Sequence, residues 1–111
     1  MGCIIYGSGI ERRLDVDDRT LAHVKAVVVM KLRRNESFLL SWQWQSQQGR
    51  RISLWMHPAI PLQFELDTLE PIELNRAWLE ELMVSTNSRG DLDIGMEPQI
   101  EDHTHEARKP L

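Results

Sequence analysis

Few residues in this chain combine the type and the spacing that chemistry needs. The best metal-ligand string is Glu101-Asp102-His103-Thr104-His105-Glu106, where two imidazoles stand among carboxylates of the kind that hold zinc or nickel. No second ligand pair follows at finger-like spacing, so adventitious binding by a loose tail is the plainer reading. Asp15, Asp17 and Asp18 form an acidic cluster suited to a hard cation, but at a helix start such residues cap the first turn and complement its dipole. Gly7-Ser8-Gly9 offers amides to a phosphate. The Gly-Lys-Ser/Thr ending and the following helix of a P-loop are missing, which leaves a hairpin turn.

Nucleophilic catalysis is no better served. Cys3 opens an apolar strand with no charged neighbour to favour a thiolate, so it reads as buried and inert. His23 lies near a helix start and His57 stands just before Pro58, and neither has an Asp at a spacing that predicts a triad. No catalytic residue, resident metal or cofactor is expected.

Composition narrows the class. A chain of 111 residues is the size of one domain and buries roughly two-thirds of the surface its unfolded form exposes. Apolar residues make up 41% and charged residues 27%, the proportions of a folded globule. The formal charge is −4, half of it carried by residues 97–111, so nucleic acid could be held only by a local basic patch. A lone cysteine makes no internal disulfide. The N-terminus lacks the basic region of a signal peptide, and the longest apolar run, Ala26 to Met30, is far short of a membrane span. Met1-Gly2 suggests myristoylation, but Tyr6 stands where that motif wants Ser or Thr. A soluble, cytoplasmic protein with no membrane partner is expected.

The elements that would position these residues follow from periodicity. Cys3 to Tyr6 and Ile10 to Val16 read as two strands joined by the glycine turn. Asp17 and Asp18 open a helix whose apolar stripe is Leu21, Val24, Val27, Val28 and Leu32. Ser37 to Gln45 and Arg51 to His57 alternate as strands around a Gln47-Gln48-Gly49 turn, and Leu62 to Leu66 alternates as a third strand of the meander. Asn75 caps a second helix with Trp78, Leu79, Leu82 and Met83 inward, stopped at Asn87 to Gly90. Leu92, Ile94 and Met96 alternate as a last strand. The order β-β-α-β-β-β-α-β implies an α+β fold of two layers, an antiparallel sheet with two helices on one face. Residues 1–98 read as one domain and residues 99–111 as an acidic, His-containing disordered tail.

Seven strings are co-linear with a known pattern: Ile5-Tyr6-Gly7-Ser8, Asp17-Asp18-Arg19-Thr20-Leu21-Ala22-His23, Lys31-Leu32-Arg33-Arg34, Glu36-Ser37-Phe38, Arg51-Ile52-Ser53-Leu54-Trp55, Ile60-Pro61-Leu62 and Leu74-Asn75-Arg76-Ala77-Trp78. On them the chain, over roughly residues 2–98, resembles a family of short bacterial proteins of unknown function, mainly from actinobacteria. Some members carry the label "ATP-dependent DNA ligase". The resemblance implies no established activity. Nucleotidyl transfer in ligases attacks the α-phosphate with the lysine of a Lys-x-Asp-Gly motif. Here Lys25, Lys31 and Lys109 are followed by Ala26-Val27-Val28, Leu32-Arg33-Arg34 and Pro110-Leu111, so that chemistry has no nucleophile.

What remains is surface. Leu39 and Trp55 fall on the alternation phase that otherwise carries polar groups such as Gln43, His57 and Gln63, the composition of a protein contact face. A non-enzymatic interaction module, pairing with itself as a homodimer or with another protein through these five residues, is the leading expectation. The alternative is an accessory nucleic-acid-binding protein linked to DNA metabolism or ligation. Its patch would be Arg33, Arg34, Trp44, Arg50 and Arg51, cations beside an aromatic stacking platform.

Overall fold

Asp17 sets the first helix. Its backbone is extended and its carboxylate accepts the N–H of Thr20 at 3.0 Å, so α1 runs Asp18–Arg33 from a satisfied cap. The computed structural model describes residues 1–9, 12–44, 50–94 and 97. Leu21, Val24, Val27 and Val28 are buried and Leu32 partly so, as the stripe requires. The helix closes at Asn35, whose φ of 65° turns the chain while Glu36 N–H donates to the Lys31 carbonyl at 3.1 Å. In α2, Arg76–Arg89, Asn75 Oδ1 accepts the N–H groups of Ala77 and Trp78, and Gly90 at φ 68° ends the helix.

The six strands are β1 Gly2–Tyr6, β2 Arg12–Val16, β3 Phe38–Trp44, β4 Arg50–Met56, β5 Leu62–Glu65 and β6 Asp91–Asp93. The α+β class and the element order are those expected from the sequence. The strands, however, divide into two three-stranded sheets, β2-β1-β5 and β4-β3-β6, where a single antiparallel sheet was expected. The meander breaks at Pro58 and Pro61, because proline cannot donate to a ladder and fixes its own φ. The chain therefore leaves β4, Gly7 N–H takes the Pro61 carbonyl at 2.9 Å, and β5 pairs with β1 instead of β4. The last strand returns from α2 and lies parallel to β3, the one parallel pairing among the described residues.

One core joins both sheets. Ile4 and Leu14 from the first, Phe38, Leu40, Met56 and Leu92 from the second, and Trp78 and Leu82 from α2 close over α1. The fit is tight at Gly2, where a Cβ would run into the Glu65 carbonyl and lie 2.7 Å from Leu21 Cδ2 and 2.8 Å from Asp18 Oδ1. Glycine is required there by close approach. Among the described residues no helix is long and apolar enough to cross a membrane.

Candidate functional site: the outward face of the second sheet

Register decides what this face presents. Across β3 and β4 the directly opposed pairs are Leu39–Trp55, Ser41–Ser53 and Gln43–Arg51, all on the phase opposite to buried Phe38, Leu40 and Met56. On the other side of β3, Asp91 stands beside Leu39 and Asp93 beside Ser41. The result is a patch with an apolar row, Trp55 and Leu39, and a polar row behind it.

Trp55 keeps 49% of its surface exposed and Leu39 36%, so a large aromatic and a branched aliphatic side chain share an open face. Tyr6 Oη donates to the Trp55 carbonyl at 2.7 Å, tying the first sheet to β4 and fixing the backbone under the indole. Since the Trp55 carbonyl points away from β3, pleat alternation turns the main-chain groups of Arg51 and Ser53 the same way, toward the outer edge of β4. No strand pairs with that edge among the described residues.

The polar row is self-satisfied except at one atom. The hydroxyls of Ser41 and Ser53 share a hydrogen bond of 2.7 Å. Arg51 crosses β3 to reach Asp93 Oδ2 at 3.3 Å and Asp91 Oδ2 at 3.9 Å, and Ser41, lying between these strands, has no exposed surface. Asp91 Oδ1 is buried with no hydrogen-bond partner among the described residues.

The other expected residues scatter. His57 is exposed past the end of β4, where its Nδ1 accepts the Ala59 N–H at 3.0 Å. Gln63 is exposed in the other sheet, on β5, and donates to Glu65. Arg33 and Arg34 are exposed at the end of α1, while Arg51 is engaged on the sheet face. The side chains of Gln43, Trp44 and Arg50 lie outside the described residues. Asp17 caps α1, and Asp18 accepts the backbone N–H groups of Asp67 and Thr68 at 3.1 and 3.0 Å. Cys3 is buried with its thiol 3.6 Å from Glu65 Oε1, and desolvation raises its pKa against the pull of Arg13, so a thiolate is disfavoured. The His103–His105 string lies outside the described residues.

Two buried polar centres escaped sequence reasoning. His23 has no exposed surface: Nδ1 meets the Arg19 carbonyl at 2.7 Å, Nε2 accepts the Asn75 N–H at 2.7 Å, and the ring lies 4.5 Å from that of Trp78. Around it Arg19 grips Glu97 through Nε and Nη2 at 2.7 and 2.6 Å, and Asn75 Nδ2 adds a bond to Glu97 at 2.8 Å. That donor set, led by Arg19, holds the Glu97 carboxyl down at about 2. Lys31 is 5% exposed and donates to Glu36 Oε1 at 2.9 Å and to Asn87 Oδ1. The row His23, Val27, Lys31 at i, i+4, i+8 was the available signal, since it borders the Val24–Val28 stripe. Both centres fasten elements together, α1 to the cap of α2 and α1 to the end of α2, so they read as structure.

Residues 1–97 match the model of a family described as "Domain of unknown function (DUF7882)". No curated protein and no solved structure matches the chain.

Proposed function

We propose that this chain, which belongs to the DUF7882 family, is a non-enzymatic interaction module that pairs with a second copy of itself through the outward face of the β4-β3-β6 sheet. One observation carries the reading: Leu39 and Trp55 are cross-strand neighbours on the face turned from the core, 36% and 49% exposed. An aromatic anchor with an aliphatic neighbour and a rim of Ser53, Arg51 and Asp93 has the composition of an interface centre and its margin. A two-fold arrangement would bury each Trp55 against the partner's copy of the same patch. The cytoplasm, where a lone thiol stays reduced, is the compartment this reading assumes.

Light scattering on the purified chain tests it. The expected result is a dimer that Trp55→Ala dissociates, since truncating a central tryptophan costs about 2 kcal/mol or more, roughly thirtyfold in affinity. A monomer across the same concentration range in the unmodified chain would sink the proposal. The nucleic-acid reading has thinner support, because Arg51 is committed to Asp93 and two carboxylates share its face. Binding to single-stranded DNA that weakens steeply with salt would revive it.

A further inference from the structure

The outer stripe of α1 is a second surface, independent of the Leu39–Trp55 face. Ala22, Ala26, Val29, Met30 and Arg33 recur at helical spacing, opposite the buried Leu21–Val24–Val28 side. Val29 is 38% exposed and Met30 43%. A groove of about 370 Å³ runs between Ala22, Ala26 and Val29 of this stripe and Pro71 and Ile72 of the connection to α2. It continues as a depression of about 390 Å³ over Ala26, Val29, Met30, Arg33 and Arg34. Lys25 and Glu70 both line the first part, while at the second Arg33 and Arg34 join Lys31 near a single carboxylate among the described residues, Glu36, so the balance there is positive.

Arg19 stands at the head of the same stripe, one turn before Ala22, and its guanidinium holds Glu97. The chain beyond that clamp therefore starts beside the groove. It reads Pro98-Gln99-Ile100-Glu101-Asp102, one large apolar residue followed by two acids, with Glu106 further on.

We propose that residues 98–106 dock along α1 of the same chain, with Ile100 in the groove and Glu101 and Asp102 against Arg33 and Arg34. The lengths agree. Three extended residues past Glu97 span about 10 Å, and seven helical residues from Arg19 to Ala26 rise about 10 Å, which brings Ile100 level with Ala26. Arginine side chains on a helix lean toward its N-terminus, so the Arg33 guanidinium falls near the next acids along. Tethering at Glu97 makes the contact intramolecular, with an effective concentration on the order of millimolar, so weak surface pairs suffice. Docked this way, the segment covers the cations that a nucleic-acid contact at the end of α1 would need.

A photoreactive benzophenone amino acid placed at Met30 of the full chain tests this by mass spectrometry of its crosslinks. The expected products are crosslinks to residues 98–106 whose yield does not change with protein concentration or in a Trp55→Ala background. Arg33→Glu with Arg34→Glu should lower that yield about fivefold or more, and adding Glu101→Arg with Asp102→Arg should restore it. Absence of tail crosslinks, insensitivity to the charge reversals, or a yield that rises with concentration and so marks a second copy's tail would each overturn the proposal.

Discussion

His23 Nε2 accepts the backbone N–H of Asn75 at 2.7 Å, and this one bond joins the second turn of α1 to the cap of α2. A backbone amide can only donate, so Nε2 carries no proton. The proton sits on Nδ1, which donates to the Arg19 carbonyl at 2.7 Å. The imidazole is thereby fixed as one neutral tautomer, tilted 34° against Trp78. Asn75 in turn caps α2 with its Oδ1 and reaches Glu97 with its Nδ2.

His23→Phe keeps the ring's volume and its contact with Trp78 but removes the acceptor of the Asn75 N–H and the donor to the Arg19 carbonyl, which stays in the backbone ladder of α1. A loss of about 1–3 kcal/mol is expected in chemical denaturation, with faster hydrogen exchange at the Asn75 amide. In the native chain, nitrogen NMR of His23 should show a protonated Nδ1 and a bare Nε2. The opposite assignment would contradict the network as drawn.

Glu97 makes stability depend on acid. Its folded pKa, about 2, lies below the ordinary 4.5, so its contribution is complete above about pH 4.5 and lost as pH falls toward 2. Arg19 is 45% exposed, which screens the pair and leaves roughly 1–2 kcal/mol. Glu97→Gln should be less stable at pH 7 by that amount and should flatten the stability profile between pH 4.5 and 2. An unchanged profile would show that the clamp does not form in solution.

Gly2→Ala probes packing where β1, β5 and α1 converge. Its methyl would meet Glu65 backbone, Leu21 and Asp18 together, and backbone cannot yield as a long side chain can. An overpacking cost of about 1–3 kcal/mol is expected in denaturant titration, with the fold retained. The turn residue Gly9 faces open space but holds φ 80°, so Gly9→Ala should cost about 1 kcal/mol through backbone strain alone.

Trp55 should report the interface by fluorescence. Subtracting the spectrum of Trp55→Phe from that of the unmodified chain isolates its emission. At low concentration this difference should be red-shifted and readily quenched by acrylamide, matching a residue 49% exposed. Raising the concentration should shift it to the blue and shield it as the second copy covers the face. A difference spectrum indifferent to concentration would leave Trp55 an ordinary solvated side chain.

Local signals in the chain specify local structure well. Asp17 and Asn75 are caps because short polar side chains satisfy the first amides of a helix, and Gly90 stops α2 because it alone turns left-handed without strain. Leu39 and Trp55 are outward because strand side chains alternate, a rule that needs only the neighbours along the chain. Partnership is another matter. Which strand β5 joins, how β6 lies beside β3, and why Gln63 ends in a different sheet from Trp55 depend on residues far apart in the chain.

The buried polar groups teach the same lesson. His23 and Lys31 look like ordinary residues of a solvated helix until Asn75 and Asn87 arrive from α2 to complete their hydrogen bonds. By itself the sequence determined the elements, their ends and their apolar faces, because those follow from contacts within a few residues. Only the tertiary structure decided the two-sheet division and the His23 and Glu97 latch, because each arises where distant segments exclude water together.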